Sequence, residues 1–157
     1  MSIENELLKL KVSQDKFEYI NKNVPYIYQK DMTDLSFKLL SYSGHKVVLP
    51  DMEYDLENLL NFGKILKGEN YILIKGQICQ CHKNSIKYWY ENKTICKFMT
   101  GYAMGKDGVW RQHSWCIQKN KIIETTKTRL CYFGITYNYN KSIKFYNKYF
   151  NRAYSLK

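Results

Sequence analysis

Apolar residues recur at helical spacing from Ile3 through Leu7, Leu8, Leu10 and Val12, then more raggedly at Phe17 and Ile20, which predicts an N-terminal helix. Asn21–Pro25 breaks that pattern, and Tyr26–Tyr28 reads as a short extended piece. Asp31-Met32-Thr33-Asp34 offers capping residues for a helix over Leu35–Tyr42, stopped by Ser43-Gly44. Lys46–Leu49 reads as a brief strand ended by Pro50. Asp51 then caps a helix from about Glu53 to Leu60, with Leu56, Leu59 and Leu60 on one face. Gly63 and Gly68 punctuate the stretch between that helix and Tyr71.

Tyr71–Lys75 is a compact apolar run and predicts a buried strand. His82–Tyr90 has helical spacing, with Ile86 and Trp89 or Tyr90 inward, and Asn92-Lys93 ends it. Ile95–Tyr102 and Trp110–Gln118 read as strands joined by the turn Gly105-Lys106-Asp107-Gly108. Lys119-Asn120-Lys121 turns the chain into a strand over Ile122–Thr126, Leu130–Thr136 adds another, and Ser142–Tyr154 predicts a basic, aromatic helix. The pattern amounts to an α+β fold in a single domain over residues 1–157. Residues 1–70 form its mainly helical part. A helix carrying a cysteine, packed with an antiparallel sheet, covers 71–136, and the basic aromatic segment covers 137–157.

Composition changes this picture little. The 157 residues suffice for a real core, and 45% are apolar. The net charge of +11 favours anionic partners, nucleic acid among them, although the lysines are scattered rather than clustered. No run approaches the roughly 18 apolar residues of a membrane span, and nothing near Met1 reads as a signal peptide. Five cysteines without a secretion signal imply reduced thiols and a cytoplasmic setting.

Chemistry concentrates between Gln77 and Thr126. Cys81 stands where a helix begins, so the helix dipole lowers its thiol pKa and the first free N–H groups can hold an oxyanion. His113 lies on a strand and Glu124 on the next. If the turn between them is even in length, Trp115 opposes Glu124 and His113 opposes Thr126, which makes His113 and Glu124 diagonal neighbours on one face. An odd turn moves Glu124 to the other face and leaves Thr126 or Gln112 to orient the histidine. Gln80 or Gln77 is placed to donate to the oxyanion, and Trp110 and Trp115 flank His113 as core or pocket wall.

The order cysteine on a helix, His113-Ser114-Trp115 on a strand, then Glu124-Thr125-Thr126 resembles the papain-like superfamily. The likeness is greatest to its transglutaminase-like and NlpC/P60-like branches and covers about a third of the chain. It implies a hydrolase or acyltransferase acting on an amide or ester, on a protein for instance, through a thioester. Cys81 is then the nucleophile, His113 the base and Glu124 its orienting acid, with no cofactor and no metal. The chain departs from those families in having Glu rather than Asp, Asn or His at 124, and His82 rather than a bulky apolar residue after the cysteine.

Each of these residues also has an ordinary reading. A cysteine is most often a small buried hydrophobe, as expected for Cys96, Cys116 and Cys131. His45 and His82 have no evident partner. A zinc site from Cys79, Cys81, His82, Cys96, His113 and Cys116 lacks paired ligand spacing. The alternative to an enzyme is a non-catalytic basic module that binds nucleic acid through Lys141, Lys144, Phe145, Tyr146, Lys148, Tyr149 and Arg152.

Overall fold

The computed structural model describes residues 26–49 and 55–151, so the helix expected near Leu7 and the cap at Asp51 lie outside the described residues. Among these, the order is α1 (Tyr26–Tyr42), β1 (Lys46–Val48), α2 (Leu56–Phe62), β2 (Lys64–Lys67), β3 (Tyr71–Leu73), α3 (Cys81–Glu91), β4 (Lys97–Met104), β5 (Val109–Gln118), β6 (Lys121–Glu124), β7 (Cys131–Thr136) and α4 (Tyr139–Phe150). The architecture is α+β. One sheet runs β2-β7-β4-β5-β6-β3, with β1 paired to β5 off that path. Its pairings are antiparallel except β1 with β5 and β3 with β6, which are parallel.

Strand alternation sends side chains to two buried faces. On one, Tyr102, Met104, Trp110, Phe133 and Ile135 meet Met32, Leu35 and Leu39 of α1 and Leu56 and Leu59 of α2. Further along the same face, Phe98 and Cys116 meet Ile86 and Trp89 of α3 and Phe145 of α4. The other face holds Met99, Ala103, Trp115, Ile122 and Tyr132 with no helix residue among them. The sheet curls over on itself to cover that set. Full burial of a side chain such as Phe98 or Phe133 contributes about 1.5–3 kcal/mol.

Several local expectations give way to tertiary packing. Tyr26–Tyr28 is the first turn of α1, not an extended piece, and Asp31–Asp34 lies inside that helix rather than capping a shorter one. Met32, Leu35, Ser36 and Leu39 are buried at helical spacing, and Lys30 Nζ bonds Asp34 Oδ2 at 2.9 Å across one turn. Burial of that stripe outweighs the local capping signal. Tyr71–Leu73 is not buried: these residues are 42–43% exposed, because β3 pairs only with β6 and ends the sheet. A short apolar run does not distinguish a central strand from an edge. β2, four residues between Gly63 and Gly68, has no expected counterpart, so the part before residue 70 is strand as well as helix.

β4 and β7 cross at paired glycines, Gly101 opposite Gly134. A Cβ on Gly101 would lie 2.2 Å from the Phe133 carbonyl oxygen, and one on Gly134 would lie 2.5 Å from both Trp115 Cη2 and the Thr100 carbonyl oxygen. Neither backbone oxygen can step aside without moving a strand. Gly101→Ala is therefore expected to cost about 1–3 kcal/mol, read as a lower urea midpoint. An unmoved midpoint would contradict this account of the crossing.

Candidate thiol site

The chain enters α3 through a tight loop. Cys79 takes a left-handed conformation (φ 60°), which a non-glycine residue holds only at a cost of about 1–2 kcal/mol. Asn84 closes the loop: its Oδ1 accepts from Gln77 N–H at 3.2 Å and its Nδ2 donates to the Gln77 carbonyl at 2.7 Å. Cys81 is thus the first residue of the helix, and Gln80 is its cap.

The first turn of α3 is wedged where β5 and β6 part. Ser85 Oγ donates to the Ser114 carbonyl of β5 at 2.8 Å and lies 3.1 Å from Thr125 Oγ1, just past β6. Cys116 Sγ donates to the Ser85 carbonyl at 3.3 Å. Anchored from both sides, the helix start holds Cys81 at the gap between the strands.

Lys119 and Asn120 form a two-residue turn with positive φ at both positions (49° and 61°), so Gln118 pairs with Lys121 and Cys116 with Ile123. This is the even register. It brings His113 Nε2 to 2.8 Å from Glu124 Oε2, with the two side chains 2% and 0% exposed. Tyr132 Oη donates to the same oxygen at 2.9 Å. Oε1 accepts from the N–H groups of Thr125 and Thr126 at 2.8 and 2.9 Å and from Thr126 Oγ1 at 3.1 Å.

These contacts set the charges. Burial alone would raise the Glu124 pKa, but His113, the Thr126 N–H and Tyr132 together hold it below the ordinary carboxyl value. Burial likewise opposes a charged imidazole, yet hydrogen bonds and charge from Cys81 and Glu124 raise His113 above its usual value. For Cys81 burial again acts upward. It is overcome by His113 and by the Ser114 and His82 N–H groups at the sulfur, and the thiol pKa is lowered. Lowered thiol and raised imidazole together favour a thiolate–imidazolium pair, the nucleophilic form.

On the helix side of the sheet lies a cleft of about 580 Å³. His82, Thr100, Gln112, Phe145 and Tyr149 line it, together with Lys141, Lys144 and Lys148 of α4. His82, without an expected partner, has its Nδ1 2.6 Å from Ser114 Oγ, which donates to Thr100 Oγ1 at 2.9 Å. Ser114 spends its proton on Thr100, so His82 donates through Nδ1. Burial first, then the charges of His113 and Lys148, bring the His82 pKa down to about 4, and the ring is neutral.

Of the other residues singled out in the sequence, Gln112 lines the cleft, and Thr126 secures Glu124 rather than orienting the histidine itself. Gln77 and Gln80 are exposed in the entry loop. Trp110 and Trp115 are both fully buried and are not pocket walls. Trp110 Nε1 donates to the Ser43 carbonyl at 2.8 Å within the α1–α2 core, and Trp115 packs on Tyr132 with ring centres 4.9 Å apart. The largest side chains flanking His113 go to the two cores, where their area counts most. His82 shares helical spacing with buried Ser85 and Trp89, a pattern that placed it on the inner face. Tyr132 carried no such signal, because its placement depends on the register of β7. Among the described residues, no three His, Cys, Asp or Glu side chains are grouped to hold a metal ion.

In comparisons with known proteins the chain matches no family model, no curated protein and no solved structure.

Proposed function

We propose that this protein is a cysteine-nucleophile hydrolase or acyltransferase that opens an amide or ester through a thioester on Cys81, in the manner of the papain-like superfamily. The observation that carries this is His113, buried with Glu124 at one ring nitrogen and interacting with a helix-start thiol. Glu124 occupies Nε2, so Nδ1 takes the Cys81 proton. The thiolate attacks the acyl carbon. The developing oxyanion is held by the first free N–H groups of α3. His113 then gives its proton to the departing amine or alcohol, leaving the thioester. Next it takes a proton from water or a second amine, whose attack releases the acyl group and restores the thiol.

The fit to nucleic acid is poorer. Tyr146 of α4 stacks on both Tyr90 and Phe150, with ring centres 4.0 and 4.7 Å apart. Lys93 lies 4.3 Å over Tyr90 and Lys83 lies 5.6 Å over Phe150. Rings so occupied bind α4 to α3, whereas stacking on bases needs open ring faces. Free thiols at all five cysteines fit a cytoplasmic enzyme, and no described helix is long and apolar enough to cross a membrane.

Exposed Cys79, two residues from Cys81, is an internal standard. With limiting iodoacetamide between about pH 5 and 9, Cys81 is expected to be alkylated first, well below the free-thiol pKa of about 8.5. His113→Ala is expected to slow it. A Cys81 no faster than Cys79, located by peptide mass spectrometry, would remove this function.

A further inference from the structure

We infer that the free edge of β3 docks a second copy of this chain: the two β3 strands pair antiparallel in a register centred on Ile72 and join two sheets into one. This pairing is independent of the thioester chemistry.

Every residue from Tyr71 to Gln80 is exposed, and the run is apolar at Tyr71, Ile72, Leu73, Ile74 and Ile78, the last 82% exposed. The backbone shows which side of β3 is spent. The Ile122 N–H donates to the Asn70 carbonyl at 2.9 Å, and the N–H groups of Ile74 and Gly76 donate to the Glu124 and Thr125 carbonyls at 2.8 Å. Even-numbered residues thus face β6, and the N–H and C=O groups of Tyr71, Leu73 and Lys75 point outward. Among the described residues nothing pairs with that side, where the sheet ends. Such a row of donors and acceptors is completed by another extended strand. β3 itself, Tyr71-Ile72-Leu73, holds no charge, proline or glycine to blunt that pairing.

The side chains identify the strand that fits. Glu69, in the turn before β3, and Lys75, just past it, continue the alternation of Tyr71 and Leu73. Read along the chain the order is acid, aromatic, leucine, base, which complements itself when reversed. Outward-facing residues must oppose one another, so an antiparallel pair centred within β3 has its centre at Tyr71, Ile72 or Leu73. About Ile72, Glu69 opposes Lys75 of the partner subunit, Lys75 opposes Glu69 of the partner subunit, and Tyr71 and Leu73 meet across the pair. About Tyr71, Lys75 opposes Lys67 of the partner subunit. About Leu73, Glu69 opposes Gln77 of the partner subunit and no ion pair forms. Opposite charges directly across a strand pair stabilise it and like charges destabilise it, so the Ile72 register wins. Among the described residues neither Glu69 nor Lys75 already has a salt-bridge partner. The two-fold axis uses the same edge on both copies, which closes the association at two.

Sedimentation equilibrium of the full chain over a concentration series is expected to show a monomer–dimer equilibrium. Glu69→Lys sets lysine against lysine at both pairs, and Lys75→Glu sets glutamate against glutamate. Each is expected to raise the dimer Kd by about tenfold or more. Glu69→Lys/Lys75→Glu restores both pairs with reversed sign and should restore the dimer, as should mixing the two single variants. Both positions are exposed, and unchanged unfolding midpoints check that the variants fold. Amide exchange gives a second reading: the Leu73 N–H should slow as concentration rises, while the Ile74 N–H, already bonded to β6, should not change. A chain that stays monomeric throughout, whether its edge is bare or takes up an added peptide, overturns the inference. A dimer indifferent to both single reversals, or one that the double reversal fails to restore, overturns it equally.

Discussion

Glu124→Gln is expected to give a folded protein with an inert Cys81 and turnover lower by about 10⁴, the cost of a wrong histidine tautomer in a related triad. The glutamine oxygen can still accept from the Thr125 and Thr126 N–H groups, where Glu124 Oε1 now does. Its amide nitrogen, however, donates where Oε2 accepted from His113. Neutral His113 must then carry its proton on Nδ1 and accept at Nε2, so the nitrogen meant for the thiol proton is already occupied. The Cys81 pKa returns toward 9.0, read in the pH profile of alkylation, and the tautomer is read from the ¹⁵N shifts of the ring.

Stability tests the same contact. Glu124→Ala strands buried donors and is expected to cost about 3–5 kcal/mol. The pH dependence has a definite sign. A carboxyl with its pKa lowered from 4.5 gives a contribution present above that value and lost as pH falls through its folded value. An imidazole with its pKa raised from 6.5 gives one present in full below that value and lost as pH rises through its folded value. The pair thus stabilises most between 4.5 and 6.5, and Glu124→Gln should flatten both slopes. A wild-type curve that falls neither below 4.5 nor above 6.5 would contradict the pairing.

How much is legible in the sequence depends on the range of the interactions. Cys81 at a helix start and the His113–Glu124 face are set by near neighbours: the loop at Gln77–Asn84 and the turn at Lys119-Asn120. The parity of that turn was the undetermined bit, and positive φ at both residues fixes it. Long-range choices were hidden. Tyr132 reaches Glu124 only because Tyr132 pairs with Ala103 on β4. Trp110 and Trp115 flank His113 in the sequence as core or pocket wall, and strand alternation sends them to opposite cores. Tyr71–Leu73 looked buried because nothing local reveals that β3 ends the sheet.

Cys81→Ala and His113→Gln are each expected to lower turnover of a reactive ester such as p-nitrophenyl acetate by at least about 10³, and their combination by scarcely more. Residues that act as one unit lose their joint contribution when either is removed. Without the thiol, His113 has no proton to take. Without the imidazole, the sulfur loses the partner that lowers its pKa, and burial pushes the thiol upward. Glutamine at 113 keeps a donor for the Glu124 carboxylate, so lost activity there is not lost fold, and matching unfolding midpoints check this. Cys116→Ala is the control for a generic thiol effect. Its sulfur donates to the Ser85 carbonyl in the core at 3.3 Å, so it should forfeit about 1 kcal/mol of stability and keep its turnover. Losses that multiply in the double variant would mean that Cys81 and His113 act independently, and the proton transfer between them would have to be abandoned.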